Sequence, residues 1–188
     1  LAITNCLNFG NPQDPHIYWQ FKEAVSGMGE MCRLLDTPVT GGNVSFYNET
    51  IESAVYPTPV IGMVGFIENI NNYMLMNFSN KDDLIVLLGD IHPSLGGSTY
   101  LKEFYNKVEG PLAIFNPQNE VNLQDLCLNL INNNIVNSAH DVSDGGIAVA
   151  LAESVISSPN KLGAKIFIDH KLREDELLFG ECPSIIIV

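Results

Sequence analysis

Basic residues are scarce in this sequence. Lys and Arg together number 9 against 22 Asp and Glu in 188 residues, a formal net charge of −13 at pH 7. Surfaces that hold nucleic acid or an anionic membrane carry an excess of Lys and Arg, so this charge argues against both partners. It leaves a nucleotide site open, because a magnesium ion can supply positive charge locally. Cysteine is sparse as well: Cys6, Cys32, Cys127 and Cys182 form no Cys-x-x-Cys pair and no tight cluster. That spacing argues against zinc or a disulfide framework and for reduced thiols in a cytoplasmic protein. No apolar run approaches the length of a membrane span, and no signal-peptide pattern is visible. The Gly-rich stretch "LLGDIHPSLGGS" (87–98) lacks the Gly-Lys-Ser/Thr of a Walker loop. His16, His92 and His170 have no partner at metal-ligand spacing. An initial Met is missing too, and the apolar opening "LAITNC" reads as a fragment beginning inside a strand.

What is present reads as globular, with 46% hydrophobic and 16% charged residues. The length holds one domain or two small ones. Residues 1–4 read as the end of a strand. Between Pro15 and Asp36, Ile17, Phe21, Ala24, Val25, Met28, Met31, Cys32 and Leu35 recur at helical spacing, with Trp19 off the stripe. Pro38 disfavours a helical residue ahead of it. A buried strand is predicted over 60–67, and the polar segment "NNYMLMNFSNKDD" reads as a domain boundary near residue 70. Beyond it come a strand ("LIVLLGD"), a helix start near residue 98 and a helix over 123–131. A short strand ("IVNSAH"), a helix opening at the glycines of "DVSDGG" and strands "AKIFI" and "SIIIV" complete the pattern. Strands alternating with helices make the class α/β or α+β.

Four stretches carry polar groups beyond what a chain reversal needs. In "TPVTGGNVSFYNET" (37–50), Gly41 and Gly42 permit close backbone approach to a phosphate. Asn43 offers a carbonyl oxygen suited to Mg²⁺ and Ser45 a hydroxyl for a substrate. The competing reading is a tight turn capped by its own Asn and Ser side chains. In "HDVSDGG" (140–146), Asp141 and Asp144 flank Ser143 beside a helix start, where they could hold Mg²⁺ or simply cap the helix. His140 there reads as a hydrogen-bonded structural histidine rather than a base. "TNCLNFGNP" (4–12) reads as a polar loop after a strand, with Asn5, Asn8 and Asn11 either facing a ligand or satisfying the turn. "FGECPS" (179–184) adds Glu181, a lone carboxylate and a weak signal.

Taken in order, "TNCLNFGNP", "TPVTGGNVSFYNET", "YPTPVIGMVG", "HDVSDGGIAVALAE" and "LFGECPS" closely resemble the phosphoribosylformylglycinamidine synthase family of purine biosynthesis. "DVSDGG" alone is shared with aminoimidazole ribonucleotide synthetase, selenophosphate synthetase and thiamine-monophosphate kinase. The resemblance runs from residue 1 to 188. It implies the second of two tandem halves: residues 1–70 as the C-terminal part of an AIR synthase-related N-terminal domain, and 71–188 as the C-terminal domain. It implies an ATP-dependent carbon–nitrogen ligase that joins formylglycinamide ribonucleotide (FGAR) and ammonia from glutamine, giving the amidine (FGAM), ADP and phosphate. ATP and Mg²⁺ are the implied cofactors, and a glutaminase subunit, a small adaptor subunit and the missing first half the implied partners. Position by position, Asn5 and Gly42 match nucleotide contacts, Asn43 a magnesium ligand and Ser45 a substrate contact. Many relatives carry Asp where Asn5 stands. The catalytic histidine of the family belongs to the first half, so no catalytic residue is expected here, and the fragment alone is expected to be inactive. Asp141 and Asp144 would serve a second, structural nucleotide site. The alternative is a non-catalytic half that binds a structural nucleotide and scaffolds the enzyme.

Overall fold

The computed structural model describes residues 1–188. Two compact units divide the chain, Leu1–Glu68 and Asn69–Val188. Each is a mixed α/β arrangement with its own three-stranded sheet.

In the first unit, β1 (Ala2–Asn8) is central, parallel to β2 (Val39–Ser45) and antiparallel to β3 (Thr58–Val64). Two sequence expectations are corrected here. The strand runs through Asn8 rather than ending at residue 4, because both its edges are paired. Gly41 and Gly42 lie inside β2 rather than ending a strand, since the parallel ladder carries on to Asn8 and Ser45. The strand expected over 60–67 is β3, displaced toward the N-terminus by its pairing with β1. The register of β1 and β2 shifts once, passing from Ile3 opposite Val39 to Thr4 opposite Gly41. Thr40 is the surplus residue, and its hydroxyl donates to the Ile3 carbonyl at 3.1 Å.

Helix α1 (Pro15–Leu34) starts where the sequence places it. Asp14 caps it by accepting from the His16 N–H at 2.8 Å, and Pro15 sits where its missing N–H costs nothing. Its Ile17, Phe21, Ala24 and Met28 pack with Leu7, Phe9, Phe46 and Ala54. Side chains alternate along a strand. Ile3 and Leu7 are each 3% exposed, so the odd-numbered residues of β1 form the helix-side face. Phe9 is fully buried just beyond the strand, its ring set edge-on to Phe21 at 5.4 Å. Burial of such a ring contributes about 2–3 kcal/mol. Trp19 lies off this stripe, 56% exposed and stacked on His16.

The second unit has a smaller sheet of short antiparallel pairs, β4 (Leu87–Leu88), β5 (His140–Asp141) and β6 (Ile186–Ile187), with β6 central. The strands expected at "LIVLLGD" and "SIIIV" thus shrink to two paired residues each, the one expected at "IVNSAH" is met only at His140, where β5 begins, and "AKIFI" forms no strand. Leu84, Val86, Ile135, Ile166 and Phe167 stay exposed in these segments, because apolar and β-branched composition without a pairing partner does not make a strand. Helix α2 (Thr99–Tyr105) is capped by Ser98, and α3 (Pro117–Asn132) begins six residues earlier than its apolar pattern suggests. Asn116 explains that early start: its side chain accepts from the Gln118 and Asn119 amides. Helices α4 (Gly146–Ile156) and α5 (Glu174–Phe179) complete the unit. The core joins Val142, Ile147, Ala150, Cys182, Ile185 and Ile187. "DVSDGG" and "FGECPS", far apart in sequence, therefore meet around one core.

Candidate functional site

Strand alternation sorts the polar residues of the first unit. Asn5 pairs with Gly42 and Leu7 with Val44 on the helix-side face, whereas Cys6 pairs with Asn43 and Asn8 with Ser45 on the opposite face. Gly42 has φ +152°, and a Cβ there would come within 2.7 Å of the Asn5 Cγ. Glycine is therefore required beside the Asn5 carboxamide. The structure brings Asn43 together with Ser45, and Asn5 together with Gly42, but as two pairs on opposite sides of the sheet. A ligand reaching both pairs has to touch β2 at its free edge.

The Asn43 and Ser45 side chains make no hydrogen bond within the chain, and Asn43 is exposed. The polar residues after them behave differently. Asn48 donates to the Ser45 carbonyl at 2.9 Å, and the Thr50 hydroxyl accepts from the Glu52 and Ser53 amides at 3.2 Å each. The Phe9 amide donates to the Ser45 carbonyl, and the Tyr47 and Asn48 amides return to the Gly10 and Phe9 carbonyls. The polar surplus of "TGGNVSFYNET" thus splits. Asn48 and Thr50 hold the loop, and Asn43 and Ser45 remain available.

In the second unit the sequence underrated Glu181. Its Oε1 accepts from the Thr99 amide at 2.8 Å and the Gly145 amide at 3.0 Å, tying the "GGS" and "DGG" loops together. Backbone pairing between Glu181 and Ser94 fixes the segment. A glycine immediately ahead of an acidic residue and a buried strand is the only signal the sequence carried. A cavity of about 370 Å³ is bordered by Ser143, Asp144, Glu181 and Cys182. A second, of about 400 Å³, is bordered by Asp90, His92, Asn119 and Leu123.

Asp141 does not border either cavity. It accepts from the Ser143 hydroxyl and lies 3.4 Å from the His140 Nδ1. The Ser143 hydrogen bond, helped by His140, holds its carboxyl below the usual carboxylate range. His140 itself spans from β5 to α4, its Nε2 2.8 Å from Glu153, as a structural histidine would. Burial pushes the Cys182 thiol up. No three His, Cys, Asp or Glu side chains gather closely enough to hold a metal ion. For Mg²⁺, a hard ion that takes oxygen ligands, the first unit supplies neutral oxygens from Asn43 and Ser45 and no adjoining carboxylate cluster. Alone they make no magnesium site, and the Asn43 oxygen would fit one only where other groups balance the charge of the ion.

Residues 1–67 match the family model "AIR synthase related protein, N-terminal domain", and residues 80–188 match "AIR synthase related protein, C-terminal domain". The chain belongs to the AIR synthase related family. Within it, the chain is homologous along its whole length to phosphoribosylformylglycinamidine synthase subunit PurL. It is 47% identical to that subunit of Moorella thermoacetica over 188 residues, all of this chain and 25% of the relative. Identity to the Chlorobaculum tepidum subunit is 46% over 197 residues, covering all of this chain and 26% of that protein. The chain therefore spans about a quarter of the length of these relatives. The fold is similar to Thermotoga maritima PurL complexed with FGAR, with a TM-score of 0.67 at 17% identity, over all of this chain and 31% of that one. T. maritima PurL complexed with ATP gives a TM-score of 0.63 at 17% identity, over all of this chain and 28% of that one. No helix is long and apolar enough to cross a membrane.

Proposed function

We propose that this chain forms one wall of the active site of an ATP-dependent ligase that converts FGAR, ATP and glutamine-derived ammonia to FGAM, ADP and phosphate. The observation that carries this reading is the ladder register that sets the uncommitted Asn43 and Ser45 side by side on the open face of the first sheet. In the reaction, the FGAR amide oxygen attacks the γ-phosphorus of ATP and ADP leaves. Ammonia then adds to the imidate carbon, and the C–O bond breaks to release phosphate. Both steps depend on positioning and on neutralising phosphate charge. Mg²⁺, when bound, would supply that neutralisation.

Ser45 orients the substrate through its hydroxyl, and Asn43 presents a neutral oxygen toward the metal-bearing phosphates. The Asn5 carboxamide, set against Gly42, meets the nucleotide from the other side of β2 as a hydrogen-bonding group without charge. The division near residue 70 is read as the boundary between the two AIR synthase-related domains. The rest of a PurL-like polypeptide, with a glutaminase and a small adaptor subunit in the cytoplasm, would supply the remaining groups and the ammonia. Relatives named as synthase subunits do not favour a scaffold without catalytic part. A second nucleotide site remains a proposal for Asp144 and Asp141, and the cavity beside Asp144 supports the former more than the latter.

Steady-state kinetics on the full-length protein test the main reading. With Asn43→Ala, turnover at limiting Mg²⁺ is expected to fall about tenfold or more while the far-UV spectrum stays unchanged. Identical kinetics at limiting and saturating Mg²⁺ would remove Asn43 from the site.

A further inference from the structure

The open face of the first sheet holds two more polar side chains than the site residues named above. Cys6 stands opposite Asn43 and Asn8 opposite Ser45, at the carboxyl ends of two parallel strands, where α/β proteins place ligands. Asn8 is half-buried. Its amide nitrogen donates to the Cys6 sulfur at 3.5 Å, a weak acceptor. In this arrangement the nitrogen end of the carboxamide faces the thiol, and the oxygen has no protein donor. An oxygen so placed, next to the unpaired Ser45 hydroxyl, accepts from an N–H or O–H of whatever lies on this face.

Resting on the proposed ligase reading, we propose that Asn8 is a further substrate contact, its carboxamide oxygen accepting an N–H of the amide-bearing ribonucleotide beside Ser45. The adjoining metal position is served by Asn43, whose ladder neighbour is the soft, oxygen-free Cys6, so Asn8 reads the amide and not the ion. A ribonucleotide with an ester in place of that amide lacks the N–H, cannot make this bond and is expected to bind more weakly.

The test is steady-state kinetics of the full-length protein with FGAR, ATP and ammonium, comparing wild type, Ser45→Ala, Asn8→Ala and Asn8→Asp. Loss of one hydrogen bond predicts that Asn8→Ala raises the FGAR KM roughly three- to tenfold. The ATP KM and the Mg²⁺ dependence are expected to stay at wild-type values. Asn8→Asp keeps an accepting oxygen at the same place and is expected to recover most of the loss, a rescue that a purely structural residue would not show. If Asn8→Ala does not fold, Asn8→Ser carries the same expectation, since its hydroxyl is too short to reach. An FGAR KM unchanged in the variant, or raised equally with the ATP KM, overturns the assignment of Asn8. If that result comes with a raised FGAR KM in Ser45→Ala, the ligase reading survives and Asn8 alone is wrong. If wild type turns over no FGAR, the ligase reading fails and the role of Asn8 falls with it.

Discussion

Glu181 receives two backbone amides on one carboxylate oxygen, from Thr99 and from Gly145. Charge-assisted hydrogen bonds of this kind are individually stronger than neutral ones. Glu181→Ala leaves both donors without a partner and is expected to destabilise the protein by about 2–3 kcal/mol in urea unfolding. Glu181→Gln, which retains an oxygen, is expected to lose less than half of that. Asp141 gives a pH signature. Its folded carboxyl value lies below the unfolded value of about 3.9. The contribution to stability is therefore complete above the unfolded value and is lost as pH falls through the depressed folded value. Ser143→Ala removes the main cause, so NMR titration should find the Asp141 value raised and the acid-unfolding midpoint shifted to higher pH. Neither Glu181 pairing was legible in the sequence. Glu181 and its donors are 82 and 36 residues apart, and a lone carboxylate before a strand resembles a solvated one.

The elements best read from sequence were those with local causes. The Asp14–Pro15 start of α1 and its apolar stripe announce themselves within a few residues, as do the Ser98 cap of α2 and the glycines ahead of α4. Failures came where tertiary pairing decides. β1 extends through Asn5 and Asn8 because β2 and β3 hold both its edges, although asparagine disfavours strands. Conversely "AKIFI", a strand by composition, finds no ladder. α5 escaped notice because six residues show too little periodicity. The contact between "DVSDGG" and "FGECPS" is likewise tertiary. Gly146, with φ +71°, leaves room for a Cβ only 2.6 Å from the Gly180 carbonyl oxygen and 3.0 Å from that of Leu178. Gly146→Ala therefore combines left-handed strain with a clash against backbone. A loss of more than about 2 kcal/mol is expected, read from the shift of the thermal midpoint.

With 22 acidic and 9 basic residues the molecule repels itself. Screening over about 10 Å at 0.1 M salt reduces that repulsion. The melting temperature is expected to rise by about 2 °C or more between low salt and 0.2 M NaCl, and a flat or falling trend in scanning calorimetry would show that local pairs outweigh net charge. Length and the placing of its carboxylates limit what the chain can do unaided. It spans about a quarter of its relatives and gathers no carboxylate cluster for a metal ion. Purified as 188 residues, it is expected to give no turnover of FGAR with ATP and ammonium in a phosphate-release assay.

Thr40 does for this surface what no side-chain choice could. Paired without that one surplus residue, β2 would advance by a single step, setting Asn43 beside Leu7 against α1 and turning Val44 outward next to Asn8. An apolar side chain would then stand beside Asn8 where the Ser45 hydroxyl now stands, and the Asn43 amide would leave that face for the other. The chemistry of the exposed sheet is written in the count of residues between Val39 and Gly41 as much as in their identity.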